Sequence, residues 1–216
     1  MTAHLATDKI NVAVITGQHV YDVPGFHILL RGLSDMDVYI QSLEDWVADE
    51  GQVRSAYDVV LFYNCHQPTP EADALEALGS LGQTKQGIVV LHHALLAHPQ
   101  WPVWSEIVGV PDRSLRGYYP GEQLHVEVAE AEHPITRSLF AWDMVDEIYD
   151  MVGAPDGSQA LLTTRHPRSM ATLAWTRLFG QAKVFCMALG HDSQSLLHPT
   201  FRLILSRGIR WTADKL

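Results

Sequence analysis

Short apolar runs separated by polar turns divide the first half of the chain. Residues 10–15, 57–63 and 87–91 are rich in Val, Ile and Leu without polar alternation, as expected of strands buried on both faces. Residues 38–42 read as a further strand. Between these runs, 26–33, 44–49, 70–81 and 101–108 carry helical patterning, with Thr69 placed to cap the third helix and Gly109 to end the fourth. Strand and helix in alternation predict a parallel sheet covered by helices.

The second half has a different rhythm. Residues 123–128 alternate apolar and polar, as a half-exposed strand does. Residues 141–149, 159–164, 170–176 and 183–189 read as extended segments, with a hairpin turn over 178–181. Residues 199–211 form a closing amphipathic helix, with Phe201, Leu205 and Ile209 on one face. The pattern predicts one domain over 1–216: a mostly parallel central sheet with an antiparallel extension.

Composition narrows the function. The chain has 216 residues, 47% of them hydrophobic and 19% charged, with a formal charge of −10. That charge, with no Lys/Arg cluster, argues against nucleic acid and anionic membranes as partners. The apolar runs are too short to span a bilayer. The stretch from Met1 to Lys9 lacks an apolar signal core. Cys65 and Cys186 are the two cysteines and belong to no paired motif, so a reducing cytoplasm is the expected compartment. Cys186 sits inside an apolar run and reads as core; Cys65 reads as a buried thiol near a strand end.

The candidate chemistry is histidine chemistry. The run Gly87–Leu91 leads directly into His92 and His93, where an α/β sheet meets its ligands. If the strand continued through them, the two side chains would point to opposite faces and only one would reach the crevice. His19 follows the first strand in a turn whose Gly17 and amides suit an anion. His191 follows Val184 to Leu189, with Asp192 placed to orient it or to cap the next segment. Asp146 and Glu147 stand side by side in an extended run, so one of them faces inward. Trp101 and Trp104, near the histidine pair, are candidate walls for a sugar, whereas Trp46, Trp175 and Trp211 read as core. The chain lacks G-x-S-x-G, G-x-G-x-x-G, a P-loop, H-E-x-x-H and C-x-x-C. No nucleotide cofactor is expected, and a metal site would have to be assembled from distant loops.

The order of several motifs carries further information. Leu91-His92-His93-Ala94, the stretch from Trp104 to Gly109, His133-Pro134-Ile135-Thr136, Asp146-Glu147-Ile148-Tyr149, Val184-Phe185, Leu189-Gly190-His191 and Gly208-Ile209-Arg210-Trp211 together resemble the ThuA-like, or trehalose utilisation, family over nearly the whole chain. The resemblance implies a flavodoxin-like, class I glutamine amidotransferase-like three-layer sandwich without the nucleophilic cysteine. His92 then stands near the elbow position and His191 near the amidotransferase histidine, so amidotransferase activity is not expected. It also implies sugar catabolism, on trehalose or a related disaccharide, natively or as a 3-keto sugar.

Two readings of function follow. The first is an enzyme acting on a glycoside or 3-keto-glycoside by hydrolysis, elimination or isomerisation. Its expected catalytic residues are His92, His191 and Glu147. His19, His93, Trp101, Trp104, Tyr149 and Asp192 are expected to contact the sugar. His19, His92 and His191 are the candidate ligands of a divalent ion, zinc foremost. The second reading is a non-catalytic sugar-binding or regulatory module. Self-association is open under both.

Overall fold

The parallel half of the sheet is built from strands whose residues split strictly by parity between two apolar layers. The computed structural model describes residues 9–154 and 157–216; most of the segment from Met1 to Lys9 lies outside them. Val12, Val14, Val59, Leu61, Val89 and Leu91 point to one side, and Ala13, Ile15, Val60, Phe62, Ile88 and Val90 to the other. That is the two-residue period of a strand covered on both faces.

Nine strands form one sheet in the order β2-β1-β3-β4-β9-β8-β7-β5-β6. The parallel strands are β1 (Ile10–Gly17), β2 (Met36–Ser42), β3 (Val59–Asn64), β4 (Gly87–Leu91) and β9 (Ala182–Met187). From β9 outward the pairing turns antiparallel, through β8 (Thr172–Phe179), β7 (Gln159–Thr163), β5 (Gly117–Val128) and β6 (Trp142–Asp150). Gly87–Leu91 is an interior strand, between β3 and β9.

Helices α1 (Val23–Arg31), α5 (Ser193–Leu196) and α6 (Pro199–Thr212) cover one face, burying Phe26, Leu29, Leu196, Phe201 and Ile204. Helices α2 (Leu43–Ala48), α3 (Ala72–Gly79) and α4 (Pro102–Val108) cover the other with Trp46, Leu78, Trp104 and Ile107. The result is the expected three-layer α/β sandwich. Gly208 allows α6 to sit directly on β9, since a Cβ there would collide with the Phe185 ring. His133, buried, packs its ring 5.3 Å from that of Trp211. The Arg207 guanidinium donates to the carbonyls of Ile135 and Arg137. The His133 to Thr136 motif therefore anchors α6 rather than a ligand.

Several boundaries differ from expectation, each for a local reason. Helix α1 begins at Val23 because the Asp22 carboxylate accepts from the Gly25 amide and Pro24 occupies its first turn. Thr69 is not a cap: Pro68 and Pro70 flank it, α3 starts at Ala72, and the N-cap residue Glu71 makes no side-chain capping bond. Strand β5 is twice as long as read, because its first half, Gly117 to Glu122, contains Pro120 and a register shift opposite β6. The short helix α5 was not anticipated; Asp192 caps it through the Gln194 amide.

Candidate functional site

Strand β4 ends in a backbone reversal rather than continuing. His92 has a φ of 52°, in the left-handed region, and opens a short 3-10 turn over His92–Leu96. The alternation expected of His92 and His93 therefore fails. Both imidazoles stay at the carboxyl end of the sheet, with ring centroids 5.5 Å apart.

His92 is fully buried and its ring is fixed at both nitrogens. Nδ1 donates to the Ala188 carbonyl at 2.7 Å. With that hydrogen assigned, Nε2 carries a lone pair in the neutral ring. The Tyr149 hydroxyl, 2.9 Å away, donates to it. Glu147 Oε1 lies 3.5 Å from the same Nε2 and 3.6 Å from His191 Nδ1. One ligand-type atom each from His92, Glu147 and His191 fall within 4.8 Å of one another. The His191 side chain retains 30% exposure, so it faces the open side of the cluster.

The carboxylate arrives from the antiparallel half. Strand β6 is last in the sheet order, yet it curls back so that Asp146 to Tyr149 reach the loop after β9. Asp146, fully buried, accepts from the amides of Glu147 at 2.8 Å, Gly190 at 2.8 Å and His191 at 3.0 Å. It fixes the turn that presents His191, and Glu147 projects toward the cluster. Burial pushes the Asp146 pKa up, against His92 and the three amide donors. Burial also works to raise Glu147, but its interactions with His92, His191 and Tyr149 outweigh it and leave it below the ordinary glutamate value. Burial holds the Tyr149 phenol well above its ordinary value, so it remains a proton donor.

Two further supports hold the same turn. The Tyr63 hydroxyl donates to the Gly190 carbonyl at 2.8 Å. Gly190 has a φ of 120°, a backbone that a side chain would strain. The Asp22 carboxylate accepts from the Ser193 amide at 2.9 Å and from the Ser193 hydroxyl, tying the His19 loop to the His191 loop. Asp22 and Tyr63 were not among the candidate site residues; the placement of Asp22 ahead of Pro24 is a readable signal, that of a helix cap. Asp146 and Glu147 are both buried, so the expectation that one of the two acids faces inward and the other outward fails.

The remaining candidates divide. His19 is exposed and stacks on His93 at 4.2 Å, so it does not join the three-residue cluster as the expected third ligand; Glu147 takes that place. His93 Nε2 donates to the Tyr63 carbonyl at 3.0 Å, and burial, then His92 and His19, push its pKa down to about 2. The expected anion site at the first turn is already filled, because the Asp22 carboxylate occupies the start of α1. Trp101 and Trp104 are core, not walls: Trp104 packs edge-on against Phe62 and its indole donates to the Ala94 carbonyl, while Trp101 is 6% exposed beside His98. Asp192 caps α5 through Gln194, and among the described residues its carboxylate makes no hydrogen bond to His191. Cys65 is buried, and burial raises its thiol pKa.

The fold is an amidotransferase-like α/β sandwich, with His92, Glu147 and His191 grouped at the carboxyl end of its sheet. The ThuA family, described as trehalose utilisation, matches residues 9–212, and the chain belongs to it. A ThuA-like protein from Parabacteroides merdae shares 22% identity over 95% of this chain and 90% of its own, with a TM-score of 0.75. One from Bacteroides uniformis shares 18% over 95% and 93%, with a TM-score of 0.72. A glutamine amidotransferase from Thermotoga maritima shares the fold at 9% identity over 96% and 100%, with a TM-score of 0.54. No curated protein matches the sequence. Among the described residues, no helix is long and apolar enough to cross a membrane.

Proposed function

We propose that this chain is an enzyme of sugar catabolism that acts on a glycoside or 3-keto-glycoside, with His92, Glu147 and His191 as its working centre. The observation that carries the reading is their convergence within 4.8 Å at the carboxyl end of the sheet. Two imidazoles and a carboxylate are a donor set that zinc and similar ions use. His92 fits the role closely, since its Nδ1–H is already anchored to a backbone carbonyl, as in metal-bound histidines. His92 Nε2, Glu147 and His191 would hold the ion, which would polarise a sugar carbonyl or activate water when bound.

The chain's own residues supply the rest. A keto group acidifies the adjacent C–H, so elimination or isomerisation begins with proton removal. With the three residues committed as ligands, the exposed imidazole of His19, stacked on His93, is the side chain left to carry protons. Buried Tyr149 keeps its proton and serves as a donor. Asp146 and Asp22 hold the His191 turn in place.

A second mechanism uses the same residues without an ion. Tyr149 already occupies His92 Nε2, which favours direct acid–base work, with ionised Glu147 as base and His191 as acid. Burial of Trp101 and Trp104 removes the aromatic walls expected for a sugar under either reading, and the grouped histidines and carboxylate favour the enzyme. We assign the cytoplasm as compartment, in keeping with two buried, unpaired cysteines. The test is a panel of native and 3-keto disaccharides assayed for product with and without added divalent ion. Turnover lost in Glu147→Gln supports the reading. Saturable sugar binding without turnover on any member overturns it in favour of the binding module.

A further inference from the structure

We infer that the cavity between α2, α3 and the loop after β3 is a second binding site, built for a small organic ammonium ion with a hydrocarbon body. It has a volume of about 350 Å³ and apolar walls from Leu43, Val47, Pro68, Pro70 and Ala74. Its polar lining comprises Glu44, His66, Thr69, Asp73 and His98. Size and lining match those of small-molecule sites.

Hydrogen bonds fix what this lining can offer. The Asn64 amide donates to His66 Nδ1 at 2.9 Å, so His66 carries its proton on Nε2 and donates it to Glu44 Oε1 at 3.2 Å. His98 Nδ1 donates to the Pro68 carbonyl at 2.6 Å, which leaves Nε2 as a bare lone pair. His98 is only 3% exposed, and its Nε2 is buried without any hydrogen-bond partner. Desolvation, first among the influences on His98, lowers its pKa and so keeps the ring neutral with that lone pair in place.

The polar groups open to a ligand are therefore the Asp73 carboxylate, the Glu44 oxygen that His66 does not hold, and the Thr69 hydroxyl, which can accept as well as donate. Among the described residues no Lys or Arg lines the cavity, which argues against an anion. Among the described residues, the grouping of three metal-ligand side chains is His92, Glu147 and His191, none of which lines this cavity. A neutral polyol could donate to the two carboxylates but would bring no positive charge to them and no hydrocarbon to the apolar walls. An alkylammonium matches both, placing its donors toward the carboxylates and its body against Leu43 and Val47. The inference is independent of the chemistry at His92.

The test titrates n-butylammonium chloride into the isotopically labelled full chain at constant ionic strength and follows backbone amides by NMR. The expected result is saturable shifts at Val47, Thr69 and Ala74, with an apparent Kd of about millimolar order. Asp73→Asn and Glu44→Gln, both at exposed positions, should each weaken binding by about threefold while leaving the spectrum folded. n-Butanol should bind about tenfold more weakly. Equal binding of butanol, indifference to both substitutions, or shifts centred on His92 and His191 would overturn the proposal, as would the absence of any saturable shift.

Discussion

The Tyr149 hydroxyl lies 2.9 Å from His92 Nε2, the same nitrogen that faces Glu147 Oε1 at 3.5 Å. An ion bound at His92 must displace that hydrogen bond. A neutral hydrogen bond contributes about 1 kcal/mol net, so Tyr149→Phe should tighten binding of a divalent ion by about fivefold. Calorimetric titration with zinc checks this. Weaker binding in the variant would instead make the phenol oxygen part of the ion's coordination.

The adjacent acids Asp146 and Glu147 have separate tasks, and their amides should behave differently. Glu147→Gln removes the carboxylate from the cluster but breaks no amide bond, so ion binding and turnover should fall while thermal stability stays close to that of the parent. Asp146→Asn replaces by an NH2 one of the two oxygens that accept from three backbone N–H groups, in a fully buried position. That should cost about 3 kcal/mol, a fall in Tm of about 6–12 °C for a chain of this size. Scanning calorimetry of both variants, beside zinc titration, separates the roles. Full ion binding in Glu147→Gln with loss in Asp146→Asn would reverse the assignment.

Buried His93 makes stability depend on acid. An unfolded imidazole takes a proton near pH 6.5, whereas in the fold His93 takes one only near pH 2. The stabilisation is therefore fully present above pH 6.5 and is lost as the pH falls toward the folded value, by about 1.4 kcal/mol per pH unit. At pH 5 the loss from this residue should reach about 2 kcal/mol. His93→Gln should flatten the fall in unfolding free energy between pH 7 and pH 5 by that amount. Parallel slopes in parent and variant would show that His93 is readily protonated in the fold.

The parallel half of the sheet was legible because its strands are buried on both faces, and continuous runs such as Val12 to Ile15 have no other economical reading. The ThuA motifs gave the three-layer fold, and pairing and burial account for it residue by residue. The site was legible in part. His92, Glu147 and His191 each follow or interrupt an apolar run, which is a local signal. Their grouping depends on β6 curling back onto the loop after β9, a long-range relation that no local pattern encodes. The alternation argument failed at His92 because a left-handed turn at a residue other than glycine leaves no mark in the sequence. Trp101 and Trp104 misled because nearness along the chain to His93 was taken for nearness to the ligand; α4 instead carries Trp104 into the core beneath Phe62.

The most direct measurement is equilibrium binding of zinc to metal-stripped, untagged protein as a function of pH. The account predicts one ion per chain, with affinity falling steeply below about pH 6 as the histidine ligands take up protons. Binding should be lost in His92→Ala and in His191→Ala, with circular dichroism unchanged in both. Absence of stoichiometric binding, or full turnover of a keto-glycoside by exhaustively chelated protein that is metal-free by elemental analysis, would contradict it.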